Sequence, residues 1–325
     1  MSPRRNVALL FVAVMLVGYL IGGGGQLSVG LLTDSENISS TFTTAASFGD
    51  TIAPVVASSV ISKTVPYAPG YVRQGGAYYV YANVSDAGGS GLSTVTADLS
   101  TVTTGQAAAA LVAGAYSAGG VSYSYRSASI TANALLVEGA TAYTVTATDG
   151  AGNAVTQGGF SVIVDNTPPS GSDVQTTNVG TAGSPELGDS VTLVFSEPID
   201  PESVLAGWTG ASTSVVVRIT DNAGGDQLTV RNAANTAALP LGTVNLVGTA
   251  YVTVTRDFGA TGAASTMVLS GNTITVTLGT PSGAVGTQAV AVSMIWTPSA
   301  TPTDRAGNSC LVIAAAEAAP PDIDF

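Results

Sequence analysis

Alternation with a period of two is the feature that most limits what this chain can become. Tyr78-Tyr79-Val80-Tyr81-Ala82-Asn83-Val84, Tyr143-Thr144-Val145-Thr146-Ala147-Thr148 and Phe160-Ser161-Val162-Ile163-Val164 place apolar or β-branched residues at every second position. So do Val191-Thr192-Leu193-Val194-Phe195, the run 215–219 and Thr273-Ile274-Thr275-Val276-Thr277-Leu278. Each run ends in Gly, Asp, Asn or Pro, as strands do. Helical periodicity is nearly missing after the first 30 residues; the Ala-rich stretch 106–112 is short, flanked by Gly, and reads as strand. Short strands separated by turn signals every ~8–12 residues predict an all-β sandwich architecture.

The turns repeat as well. Thr148-Asp149-Gly150-Ala151-Gly152-Asn153 recurs as Thr303-Asp304-Arg305-Ala306-Gly307-Asn308. Asp bonds forward to backbone amides, while Gly and Asn accept positive φ, so both copies read as the same hairpin turn. A Pro168-Pro169 pair follows the first copy and cannot continue a central strand. The expected organisation is therefore a segment 31–50, a first sandwich at 51–166, a second at 167–313, and a poorly ordered tail at 314–325. A chain of 325 residues suits about two domains.

The first 30 residues read as an export signal. Arg4 and Arg5 precede an apolar run from Val7 to Ile21 broken only by Gly18, and Ser28-Val29-Gly30 offers small residues for cleavage after Gly30. The alternative is retention as an anchor, because apolar residues continue through Leu32. The chain has 21 acidic against nine basic residues and a net charge of −12; loss of Arg4 and Arg5 makes the mature form −14. Such a balance argues against nucleic acid and anionic lipid as partners.

Three sets of residues carry resemblances. Gly22-Gly23-Gly24-Gly25, then Leu31-Leu32-Thr33-Asp34-Ser35-Glu36 and Ser40-Thr41-Phe42-Thr43, resemble the SipW-dependent signal of the TasA and camelysin matrix families, with Leu32 where an aromatic is usual. That likeness covers residues 1–48. Asp86-Ala87-Gly88-Gly89-Ser90-Gly91, the first hexapeptide and Val164-Asp165-Asn166-Thr167-Pro168-Pro169 resemble bacterial and archaeal Ig-like surface repeats. Asp189 through Pro201, with the second hexapeptide, is similar to the SbsA-type Ig-like repeats of surface proteins. These resemblances imply two tandem immunoglobulin-like β-sandwiches over ~51–313; they do not imply a ligand.

The residue inventory removes most chemistry. No histidine is present, so Ser-His-Asp and Cys-His catalysis and ordinary zinc sites are excluded, and the glutamates are scattered among turns. The chain is expected not to be an enzyme. In Ig topology the B–C and F–G loops meet at the pole where the chain enters. Asp50, Asp86 and Asp149 would gather there in the first sandwich, and Asp165, Asn166, Glu197, Asp200 and Asp304 at the junction with the second. Converging hard oxygens suit Ca²⁺; the plainer reading is that each Asp caps its own turn. No other cofactor is implied. Asn37 and Asn83 match the glycosylation triplet. Cys310 reads as a buried small hydrophobe, with an intermolecular bridge as the alternative.

These features point to an exported, non-catalytic structural or adhesive protein of the cell surface or extracellular matrix, with other surface proteins or glycans as partners. The alternative is an extracellular polysaccharide-binding protein, for which Trp208, Trp296, Tyr78, Tyr79 and Tyr81 are the candidate stacking residues. Residues 31–50 have no evident partner strand. They are a spacer, a strand donated to a neighbour's sheet edge, or a segment packed within the same chain.

Overall fold

A computed structural model describes residues 49–64 and 68–325. The export signal, the candidate donor strand and Asn37 lie outside the described residues, save Gly49 and Asp50. Gly49–Phe325 form one compact unit. The unit is all-β, with two sheets and, among the described residues, a single short helix.

The first sheet contains β1 (Val55–Lys63), β2 (Tyr71–Val72), β3 (Ala77–Ser85), β4 (Leu92–Asp98), β5 (Ala109–Ala118), β6 (Val121–Ser127), β7 (Ile130–Thr131), β8 (Gly139–Asp149) and β9 (Ala154–Val164). Their order is β1-β3-β6-β5-β4-β8-β9-β2, with β7 beside β3. The strand β5 is the corner: it pairs with β4 at its start and with β6 beyond Leu111. The two halves fold over each other, so that Ser59 of β1 meets the Tyr143 hydroxyl of β8 at 3.1 Å. The alternation read from sequence is the burial pattern. Tyr143, Val145 and Ala147 point inward from β8, as do Tyr78, Val80, Ala82 and Val84 from β3. The Ala-rich stretch enters β5 only from Ala109; Gln106 sits in the preceding turn.

The second sheet contains β10 (Gly171–Thr177), β11 (Ser190–Phe195), β12 (Thr213–Thr220), β13 (Gln227–Asn232), β14 (Thr243–Asn245), β15 (Arg256–Phe258), β16 (Ser265–Ser270), β17 (Thr273–Thr277), β18 (Ile295–Thr297) and β19 (Ala315–Ala316). Its order is β10-β11-β17-β16-β12-β13-β14-β18-β19, with β15 beside β12. The helix α1 (Pro201–Val204) interrupts the β11–β12 connection. This half has its own apolar core, in which the rings of Phe195 and Trp296 meet edge to face at 4.9 Å. Each fully buried side chain of this size contributes roughly 1.5–3 kcal/mol. The first sheet's core is separate, and the two sheets part between Val164 and Gly171, at the Pro-Pro linker.

The tail corrects an expectation. Residues 314–325 are packed rather than loose: Ala315 and Ala316 pair with β18, and Phe325 is fully buried against Tyr251 with ring centroids 5.7 Å apart. The amide of Gly183 donates to the Phe325 carbonyl. Prolines forbade a long strand there, but one large apolar anchor suffices to tie a terminus down. Cys310 is buried and its thiol is pushed up to about 11 by that burial, which fits packing rather than bridging. Asn83 donates its amide to the Ser122 carbonyl at 2.9 Å, so this triplet's side chain is engaged inside the sheet.

Candidate functional site

The two hexapeptides build the same turn. In each, the Asp takes both the amide and the side chain of the Asn four residues on, and the copies differ only in the third donor. In the first, the amides of Ala151 and Asn153 donate to Asp149 Oδ1 at 2.9 and 2.8 Å, and Asn153 Nδ2 donates to Asp149 Oδ2 at 2.7 Å. In the second, Gly307 and Asn308 donate to Asp304 Oδ1 at 2.6 and 2.8 Å, and Asn308 Nδ2 donates to Asp304 Oδ2 at 2.7 Å. Gly152 and Gly307 hold φ of +93° and +98°, which other residues resist. Each Asn then reaches the entering chain: Asn153 Nδ2 donates to the Asp50 carbonyl and Asn308 Nδ2 to the Asp165 carbonyl, both at 2.8 Å. The repeat is thus a clamp on the entry segment, set in the β8–β9 hairpin in the first half and in a loop closed by the Thr303–Ser309 bridge in the second.

The one variable position also has a reason. A side chain at Gly150 would meet the Ser90 carbonyl at 2.7 Å. The equivalent Arg305 instead lies over the Tyr71 ring of the first sheet, 5.7 Å from its centroid.

These clamps gather carboxylates. Asp50, Asp86 and Asp149 bring one oxygen each to within 4.8 Å of one another, and so do Asp165, Glu197 and Asp304. The two trios differ in how their oxygens are satisfied. In the first, Asp50 accepts from Ile52 N (2.9 Å), Ser90 N (3.1 Å) and Ser90 Oγ (2.6 Å), and Asp86 accepts from the amides of Gly88 and Gly91. The Ser90 hydroxyl, with the amides of Ile52 and Ser90, holds the Asp50 carboxyl below its ordinary value. For Asp149, burial pushes upward, but the bonds from Asn153, Gly152 and Ala151 together outweigh it and the carboxyl is lowered. This trio reads as turn-capping.

The second trio is satisfied unevenly: Asp304 has the three donors of its own turn. Asp165 accepts from the Thr167 amide at 3.1 Å, but Glu197 Oε1 is buried with no hydrogen-bond partner. Burial, then the charges of Asp165, Asp304 and Glu138, push the Glu197 carboxyl up to about 7. Burial first, then Asp304 and Glu138, raise Asp165 as well. Glu197, which carries the unpartnered oxygen, brings a carboxylate oxygen to within 4.8 Å of oxygens of Asp165 and Asp304, and a Ca²⁺ ion would complete such a hard-oxygen set.

Two residues named from sequence stand apart from this trio, which corrects that expectation. Asp200 pairs with Lys63 Nζ at 2.5 Å and caps α1 by accepting from the Glu202 amide at 3.1 Å. A helix opening on Pro201 needs that cap, and it takes the side chain. Asn166 accepts from the Gln74 amide at 2.8 Å and donates to the Leu136 carbonyl at 2.9 Å. Successive residues of an extended linker point opposite ways, so Asp165 faces the second sheet's turn and Asn166 the first sheet's loops.

The junction also uses residues that sequence reading passed over. Lys63 donates to the Asp304 carbonyl at 3.0 Å and to Thr303 Oγ1 at 3.3 Å, and Glu138 accepts from Thr167 Oγ1 at 2.9 Å. The signal for Lys63 is slight: it is the sole lysine of the chain. A third carboxylate group, Glu317, Asp322 and Asp324, was masked by the expectation of a loose tail. Its oxygens have donors in the Met294 amide, Thr176 Oγ1 and the Tyr251 hydroxyl.

The aromatic candidates are spent on packing. Trp208, Trp296, Tyr78 and Tyr81 are buried, and the half-buried Tyr79 has Arg126 4.4 Å from its ring centroid. No protein-family model matches this chain, and no curated protein matches it in sequence.

Proposed function

We propose that this is an exported, non-catalytic structural or adhesive protein of the cell surface or extracellular matrix, built from two Ig-like modules whose junction takes a Ca²⁺ ion. The observation that carries the reading is the junction itself. Asn308 grips the linker at Asp165, Lys63 crosses to Asp200, and Glu197 presents a buried oxygen with no donor between them. Bonds of this kind stiffen a tandem array, and stiffness is what a displayed or load-bearing module needs. The export reading rests on residues 1–30, and the Ig-like reading on the clamp that both halves share. The polysaccharide alternative draws less support, because its stacking candidates face the cores or a guanidinium.

Two measurements test this. Antibody raised against residues 49–325 is expected to label intact producing cells or their shed matrix; labelling only after lysis would sink the surface role. Calorimetric titration with Ca²⁺ is expected to give heat and a raised Tm, both lost on chelation and in Glu197→Gln. No heat and no shift would remove the ion from the proposal and leave the modules.

A further inference from the structure

We infer that the loop carrying Leu135 and Val137 is a docking knob that seats in the groove between β4 and β5 of a second copy of this chain, giving an open head-to-tail array. Leu135 and Val137 are 91% and 83% exposed, the highest values among the large apolar residues described. Burying the two bare side chains in an apolar site is favourable, at roughly 25 cal/mol per Å² of apolar surface removed from water. The loop is also rigid. Leu136 between them packs on the first core, its carbonyl accepts from Asn166 Nδ2, and Glu138 accepts from the Asn166 amide and Thr167 Oγ1. A knob held in one shape loses little entropy when it docks.

The groove has the complementary chemistry. The strands β4 and β5 pair only at Thr96–Ala110 and Ala97–Ala109; beyond these β5 turns to β6, while Leu92–Val95 stay with β8. The parting leaves a groove of about 400 Å³ whose lining is mixed: Leu92, Val112 and Tyr125 with Ser93, Thr94 and Thr96, over a floor of buried Val95 and Leu111. Val112 is itself 62% exposed. Charge agrees with shape. Val112 stands opposite Arg126, whose guanidinium is stacked 4.4 and 4.5 Å from the rings of Tyr79 and Tyr116 and makes no ion pair among the described residues. Glu138, an exposed residue whose Oε1 is held by Asn166 and Thr167, directly follows the knob and brings a negative charge to it.

One chain cannot satisfy itself. The knob precedes Gly139, where β8 begins, and the groove lies beside Ala147–Asp149, where β8 ends. Eight residues of strand separate them by roughly 26 Å at ~3.3 Å per residue. The contact joins unlike patches on the two copies, and it propagates into an array unless the second copy's knob closes back on the first about a two-fold axis. Two side chains make a small interface, so single contacts are weak and an array gains by repetition.

The test uses residues 49–325, which contain both cores, in chelator so that Ca²⁺ plays no part. Light scattering is expected to show a mass that rises with concentration. A knob variant, Leu135→Asp with Val137→Asp, and a groove variant, Val112→Asp, are each expected to stay monomeric. These positions are exposed, and circular dichroism confirms that the fold is kept. An equimolar mixture of the two variants retains one good knob and one good groove, and is expected to stop at dimers. A wild type that is monomeric at the highest attainable concentration overturns the proposal, as do a mixture that stays monomeric and association that both variants leave intact. It is also overturned if the full chain stays monomeric where residues 49–325 associate, since the groove would then belong to the chain's own leading segment.

Discussion

Lys63 and Asp200 form an ion pair at 2.5 Å between the end of the first sheet's edge strand and the cap of the second sheet's helix. Their side chains are 13% and 2% exposed, so neither charge can turn to water without breaking the junction. Removing one partner of a buried pair costs about 3–5 kcal/mol, because the other is left uncompensated. Lys63→Ala is expected to fall in that range. Its bonds to Thr303 and Asp304 also tie the two halves, so scanning calorimetry should separate a single transition into two. An unchanged single transition would mean that the halves are coupled elsewhere.

Gly88 is required by its neighbour rather than by its backbone angle. A methyl there would stand 1.9 Å from Asp50 Oδ1 and would push that carboxylate off the Ser90 amide and hydroxyl. Gly88→Ala is expected to cost about 1–3 kcal/mol, as overpacking does. In an Asp50→Ala background the conflict vanishes, so the double variant should be less destabilised than the sum of the singles. Additive denaturation midpoints would show that Gly88 serves some other purpose.

What sequence could reveal follows from the range of the interactions. Local periodicity and turn chemistry placed β3, β8, β11, β12 and β17, and sandwich topology brought Asp50 to Asp86 and Asp149, and Asp165 to Glu197 and Asp304. Asp200 and Asn166 went astray for local reasons, a helix cap and a reversal of side-chain direction along the linker. Lys63 could not be placed at all, since a partner more than 100 residues away leaves no periodic trace. The knob at Leu135 and Val137 was hidden for the opposite cause: exposed apolar residues in a loop look like core residues until the fold shows them bare.

Acidity acts on the tail in a defined direction. Burial, then the charges of Asp324, Asp322 and Asp173, push Glu317 up to about 7. Burial, then Asp322, pushes Asp324 up to about 6 despite bonds from Thr176 and Tyr251. Unfolded Glu and Asp titrate near ~4.3 and ~3.9. Between those values and neutrality the folded chain holds protons that the unfolded chain has lost, so stability falls as pH rises. The contribution is full below about 4 and is gone once the pH passes the folded values near 6 and 7. Tm measured from acidic to mildly alkaline buffer should therefore decline across that window, with the decline flattened in Glu317→Gln and Asp324→Asn. A Tm that rises through the same window in wild type and is unmoved by these substitutions would contradict the burial of the pair.

Phe325 closes the second core, and its removal should be felt far from the end of the chain. The ring is fully buried and lies edge to face on Tyr251 at 84°, and the Phe325 carbonyl receives the Gly183 amide. Replacing a buried Phe with Ala costs about 3–5 kcal/mol, through lost transfer energy and the cavity left behind. Phe325→Ala is expected to lie in that range by urea denaturation. Because the ring holds Asp324 beside Tyr251 and Thr176, its loss frees the carboxylate to water. The variant should therefore lose the pH dependence ascribed to Asp324 together with its stability. Phe325→Leu keeps most of the volume and should restore both in part. If Phe325→Ala instead unfolds with the midpoint and pH profile of the wild type, the tail is loosely held and the sequence expectation for 314–325 stands.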